Sequence, residues 1–165
     1  MDGAQAKSVI DRFTKETGYD FLSNFYPASV TFEGKQYPTI EHAYQASKTL
    51  NSDVRELIRK SPNPMQAKKL GRAIQLREDW NDVKVSIMKL LVAEKFKSPF
   101  LAHKLVATGN SQLVMRNFFN DTFWGECRGR GENWLGKILM EVREEIKKNE
   151  EEECVQFCKT DIKLK

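Results

Sequence analysis

Leu135, Ile138, Leu139, Val142 and Ile146 recur at steps of three and four residues. That spacing lines up one side of an α-helix and demands a partner surface to cover it. A second set, Val83, Ile87, Leu90 and Leu91 following Trp80, repeats the pattern and predicts a long helix in the middle of the chain. Prolines and asparagines cut the remainder into shorter pieces. Thr39 is placed to cap a helix over Ile40–Leu50, with Pro38 just outside it and Ile40, Ala43, Ala46, Ser47 and Leu50 turned to the core. Asp53–Lys60 reads as a helix stopped by "SPNP", Pro64–Ile74 as a third, and "SPFLAHKLVATG" as a short one ended at Gly109. Strand signals are few. Val9–Phe13 suits a short strand, Thr17–Asp20 a turn at Gly18, and "ASVTFEGKQYPT" a hairpin turning at Glu33-Gly34. The expected fold is α+β, predominantly helical with a small antiparallel β element.

The chain's 165 residues, 40% hydrophobic and 30% charged, suit one globular domain over residues 1–148 and a charged C-terminal extension over residues 149–165. No apolar run reaches the roughly 18 residues of a bilayer span, so no membrane partner is expected. The start, "MDGAQAKSVIDRF", lacks an apolar signal core, which points to the cytoplasm. An odd cysteine count (Cys127, Cys154, Cys158) suggests a reducing compartment, and with only His42 and His103 elsewhere no zinc set is formed. Neither a metal nor a cofactor is expected. The net charge is +4, with the last 17 residues acidic; the positive remainder suits an anionic ligand such as a nucleotide, or a plain solvated surface.

Four stretches carry possible chemistry. In "PTIEHAYQASK", a helix brings Glu41, Gln45 and Lys48 to one face with Tyr44 at the flank. The same spacing describes an exposed Glu/Gln/Lys face of no special role. In "FLSNFYP", Ser23 and Asn24 stand among three aromatics and offer hydrogen bonds to a ring or ribose. In "RAIQLREDW", Arg72 and Arg77 are shaped for a diphosphate, and Trp80 either stacks on a base or seals the long helix. In "NDTFWGECRGRGENWLGKILMEVR", Gly125, Gly129 and Gly131 form a loop that empties into a helix N-terminus, a place for phosphate or a purely architectural turn. Asp121 and Trp124 sit at its mouth. The lysine and Ser/Thr of a P-loop are missing.

In this order the segments resemble the NADAR family: "FLSNF" (21–25), "TIEHAYQASK" (39–48), "AKKLGRAIQLREDW" (67–80), "IMKLLVAEKF" (87–96), "DTFWG" (121–125) and "GENWLGKILMEVR" (131–143), covering residues 10–146. The resemblance implies a mainly helical α+β fold, no metal, and hydrolysis of N-glycosidic bonds in nucleotide-like substrates. Removal of ADP-ribose from guanine bases and cleavage of phosphorylated riboflavin-biosynthesis intermediates are the implied activities. It implies Lys48 as a Schiff-base nucleophile, with Glu41 beside it as general acid and base and Asp121 as a second carboxylate near the sugar. Asn24, Tyr44, Trp80 and Trp124 are then expected on sugar or base, and Arg72, Arg77, Gly125 and the Gly129–Asn133 loop, with Gly131 and Asn133, around phosphates. The expected partner is a small nucleotide-like ligand bearing an ADP-ribose moiety, free or attached to nucleic acid. One departure stands out: where the family reads "LVE" this chain has Met115, which suits either an enzyme whose loop tolerates it or an ADP-ribose or NAD sensor without turnover.

Overall fold

A computed structural model describes the backbone of residues 8–162 and the side chains of residues 8–152. The Cys154/Cys158 reading lies outside the described side chains. Strand β1 (Val9–Ile10) is followed by the hairpin β2 (Val30–Phe32) and β3 (Lys35–Tyr37). Glu33 and Gly34 turn the hairpin with φ of 47° and 77°, the left-handed pair a tight two-residue turn requires. Helices α1 (Ile40–Ser47), α2 (Ser52–Arg59), α3 (Pro64–Ala73), α4 (Trp80–Lys95) and α5 (Pro99–Val106) come next. Short strands β4 (Gln112–Leu113), β5 (Arg116–Asn117) and β6 (Glu126–Cys127) precede α6, which runs from Trp134 to Ile162. The fold is α+β and mostly helical.

Two features of the β structure are not visible in the sequence. β1 pairs in parallel with β4, Val9 opposite Gln112 and Ile10 opposite Leu113. β5 pairs in parallel with β6. Pairs of two residues carry no periodicity, so only the chain's path reveals them.

Helix α1 is the hub. It packs on α2, α3, α4 and the hairpin, and all eight of its residues are buried. Ala43, Ala46 and Ser47 have no exposed surface and allow close approach on their side. The expected end at Leu50 is corrected to Ser47. The Lys48 carbonyl accepts the Arg77 amide and the Thr49 carbonyl accepts Arg55 Nε, so both are spent outside the helix. Asn51 then caps α2 by accepting from the amides of Asp53 and Val54. Leu50, assigned to the core by the pattern, is 68% exposed in this link.

The long helix α4 exists as expected but its buried stripe is turned. Met88, Leu91, Val92 and Lys95 face inward, and Leu90 is 52% exposed. A lysine in that stripe is the cause of the misreading, since hydropathy places it outside. Lys95 Nζ donates to the Ser23 carbonyl at 2.9 Å and lies 5.2 Å from the Tyr26 ring centre. The ammonium therefore anchors the loop before the hairpin.

Burial brings the Lys95 pKa down to about 7 from an ordinary 10.5. Between those values the unfolded chain holds a proton that the folded chain does not, so folding stability rises with pH across that window. The full cost of the buried charge is present below it. Urea unfolding from about pH 7 to about pH 10 is expected to show this rise, and Lys95→Met is expected to flatten most of it.

Candidate active site

At the start of α1, Thr39 caps the helix and fixes His42. The Thr39 hydroxyl accepts from the His42 amide and donates to Nδ1 at 2.8 Å, while Nε2 donates to the Ser61 carbonyl. Burial lowers the His42 pKa, and with both ring nitrogens in use the neutral ring serves the fold. His42 is structural.

The neighbouring face carries the titratable candidates Glu41 and Lys48. Glu41 and Gln45 are 5% and 3% exposed, which overturns the reading of an open Glu/Gln/Lys surface. Gln45 Nε2 donates to Glu41 Oε1 at 2.8 Å. Gln45 Oε1 and Asn24 Oδ1 are both buried without a hydrogen-bond partner. The Asn24 carbonyl accepts the Glu41 amide, so "FLSNF" is tied to α1 at the acid itself. Two buried acceptors on the segments that carry Glu41 are thus left unanswered, and that of Gln45 lies against Gly71 of α3.

Lys48 sits just past the end of α1, half-buried, with Nζ 5.4 Å from the Tyr44 ring centre and 6.0 Å from that of Trp80. Burial pushes the Glu41 carboxyl up, against the Gln45 hydrogen bond and the Lys68, Lys48 and Arg72 charges that pull it down. Burial pushes the Lys48 ammonium down; Glu41 opposes this, and Lys68 and Arg72 add to it. The acid is shifted up and the amine down, so the two are driven toward each other's range.

Tyr44 links the two halves of the site. Its ring stands 5.2 Å from Trp80 and 5.4 Å, edge to face, from Trp124. Its hydroxyl is pushed well above the usual range by burial, and the carboxylates of Glu41 and Asp121 add to the shift. Asp121 is therefore electrostatically close to Tyr44. Its Oδ1 also accepts the Trp124 amide at 2.9 Å, which locks the loop's mouth. Trp80 is buried against Tyr44 and seals α4.

The arginines divide. Arg72 is exposed on α3, and its charge acts on both Glu41 and Lys48. Arg77 is paired through Nε and Nη2 with Asp79, beside a 490 Å³ recess that Glu41 and Lys48 do not line. The glycines are filled by their own loop. A Cβ on Gly125 would come 2.0 Å from the Met115 carbonyl oxygen, and one on Gly131 2.1 Å from the Gly125 oxygen. Asn133 is buried, donating to the Leu113 carbonyl and accepting the Met115 amide. Gly125, Gly131 and Asn133 build the loop. Met115, at the position of the family glutamate, has its Cε against Gly125.

Two residues outside the expected site belong to it. Lys68 acts on Glu41 and Lys48, and its signal was available: it stands one helical turn before Arg72. Gly71 is the second. A Cβ there would meet Gln45 Oε1 at 2.0 Å, so the glycine leaves room for the amide that holds Glu41.

This buried acid–amine pair inside a helical domain can be compared with known proteins. The NADAR domain matches residues 12–147. The chain belongs to the NADAR family. The N-glycosidase YbiA of Escherichia coli is 36% identical over 84% of this chain and 89% of its own. Its NMR structure superposes with a TM-score of 0.79, at 34% identity and over 89% of each chain. An N-glycosidase of Nostoc punctiforme is 37% identical over 78% of this chain and 86% of its own. A riboflavin biosynthesis protein of Vibrio vulnificus is 40% identical over 88% of this chain, which spans 40% of that protein's length.

Gly71→Ala is expected to destabilise the fold by about 1–3 kcal/mol through overpacking on Gln45, lowering the thermal midpoint. Gln45→Ala takes away the Oε1 and Cδ contacts and leaves only Cβ, 2.8 Å from the new methyl, so the double variant is expected to lose less than the sum of the single losses. Additive losses would show that the two residues do not compete for space.

Proposed function

We propose that the chain hydrolyses the N-glycosidic bond of an ADP-ribosylated guanine base or a related nucleotide. It is an N-glycosyl hydrolase of the NADAR family. The buried Glu41–Gln45 pair with Lys48 on the same side of α1, their pKa values pushed toward each other, is the observation that carries the reading.

Each group has a part in the chemistry. Glu41, whose carboxyl burial shifts toward the protonated form, gives its proton to the departing base nitrogen as the C1–N bond breaks. Lys48, whose ammonium burial shifts toward the neutral amine, supplies in that form the electron pair that makes a new C1–N bond. The ring C1–O bond then breaks as a proton passes from the new ammonium nitrogen to the ring oxygen, giving a protonated imine, and the ionised Glu41 takes a proton from the water that adds to C1. The C1–N bond breaks as the proton of the new hydroxyl passes to the nitrogen, which frees the Lys48 amine and leaves the oxygen on the sugar as a carbonyl. Asp121 supports positive character at C1 during bond breaking. Asn24 and Tyr44 orient the sugar, and Trp124 offers its half-buried ring to the base.

A second reading of the substrate has its own support. A relative matched over most of this chain is a riboflavin biosynthesis protein, which favours a phosphorylated N-glycoside intermediate of that pathway. Mass spectrometry of products from both substrate types decides between them.

Glu41→Gln is expected to lower kcat by roughly 10²–10⁴-fold. Borohydride added during turnover is expected to leave a covalent sugar adduct on Lys48, absent in Lys48→Ala. A Lys48→Ala enzyme as fast as the parent would rule out the imine route.

A further inference from the structure

Behind the turn that carries Asp121 lies a recess of 380 Å³, lined by Asn120, Thr122, Cys127, Arg128 and Arg130. We infer that this recess binds a phosphate group of the nucleotide substrate, an inference that rests on the N-glycosidase reading above.

Two arginines, an asparagine, a threonine and a cysteine line it, with no carboxylate among them. Neither Arg128 nor Arg130 has an ion-pair partner among the described residues. Two like charges in one recess repel, and an anion between them removes that cost while accepting their forked N–H groups. Asn120 Oδ1 accepts the Cys127 thiol at 3.6 Å, which leaves the Asn120 NH₂ to donate.

The backbone is bent to present these groups. The Cys127 amide donates to the Arg130 carbonyl and the Arg130 amide to the Cys127 carbonyl, closing a turn with Arg128 and Gly129 at its corners. Arg128 and Asn120 have φ of 54° and 61°, a left-handed conformation that costs a side-chain-bearing residue free energy. Two of the five lining residues are held this way.

Its position favours the reacting ligand. Asn120 and Thr122 flank Asp121, whose carboxylate bonds the Trp124 amide and acts on Tyr44. Recess and catalytic cluster are thus served by one three-residue turn. The preceding Phe118 and Phe119 are 86% and 68% exposed, and Lys68, which acts on Glu41, lies 5.5 Å from the Phe119 ring centre. Exposed rings in the segment that leads into a cationic recess suit a nucleotide better than a bare inorganic ion.

Amide chemical shifts of the full chain titrated with inorganic pyrophosphate test the recess without turnover. Saturable shifts are expected at Thr122 and residues 128–130, with affinity at least about tenfold weaker in the Arg128→Ala/Arg130→Ala double variant. No saturable shifts there, or equal affinity in the variant, would overturn the inference. On cleavable substrates, the variant is expected to lose about tenfold or more of the kcat/KM preference for a phosphorylated compound over its dephosphorylated counterpart. An equal loss on both would assign the arginines to loop folding and overturn it. Tighter, salt-dependent binding of a single-stranded oligonucleotide than of ADP-ribose, lost in the same variant, would support the recess and place its phosphate in a strand. Pyrophosphate binding without turnover of any substrate would reject the hydrolase reading while leaving the recess standing.

Discussion

A helix buried on every side has no solvent to satisfy its polar side chains, and α1 is such a helix. Each polar group on it must find a partner or remain a source of free energy for a ligand. Thr39 and Ser61 answer His42, and the Tyr44 carbonyl answers the Ser47 hydroxyl at 2.7 Å. Gln45 answers Glu41 and is itself left half-answered. The enclosure by α2, α3 and α4 creates this selective shortage, and the opposed shifts of Glu41 and Lys48 are its product. Burial raises the acid and lowers the amine from one cause, so no separate device is needed to tune each.

Much of this architecture is legible in the residues. Thr39 as a cap, Gly34 as a hairpin turn, Pro64 at a helix start and the spacing of Leu135, Ile138, Leu139 and Val142 each act locally, and local rules read them well. What the residues conceal is tertiary. Gln45 is polar and therefore reads as exposed; only the approach of Gly71 and α3 shows it to be enclosed. Lys95 defeats the hydropathy pattern of α4 because its burial depends on a carbonyl 72 positions earlier.

The glycine-rich loop shows the same limit in another form. Glycines before a helix suggest a cradle for phosphate, yet Gly125 and Gly131 are packed against their own loop's oxygens. Close backbone approach is their purpose, and its other party is the chain itself. The cations without an ion-pair partner among the described residues are Arg128 and Arg130, on either side of Gly129, the second inside the stretch expected around phosphates. Met115 fits that packing: a methyl group against Gly125 makes an apolar contact there.

The pairing of Val9 and Ile10 with Gln112 and Leu113 joins segments more than a hundred residues apart. Contacts among α1, α2 and α3 close short stretches of chain, whereas this pairing must wait until a long loop has been closed. β4 leads directly into the segment bearing Asn117, Asp121 and Trp124. In order of assembly, then, the helix with Glu41 and Lys48 can be in place while the wall opposite is still absent. A partly folded chain would carry Glu41 and Lys48 before the segment with Asp121 and Trp124 has reached Tyr44, and the cluster becomes whole only when the beginning of the chain meets its later third.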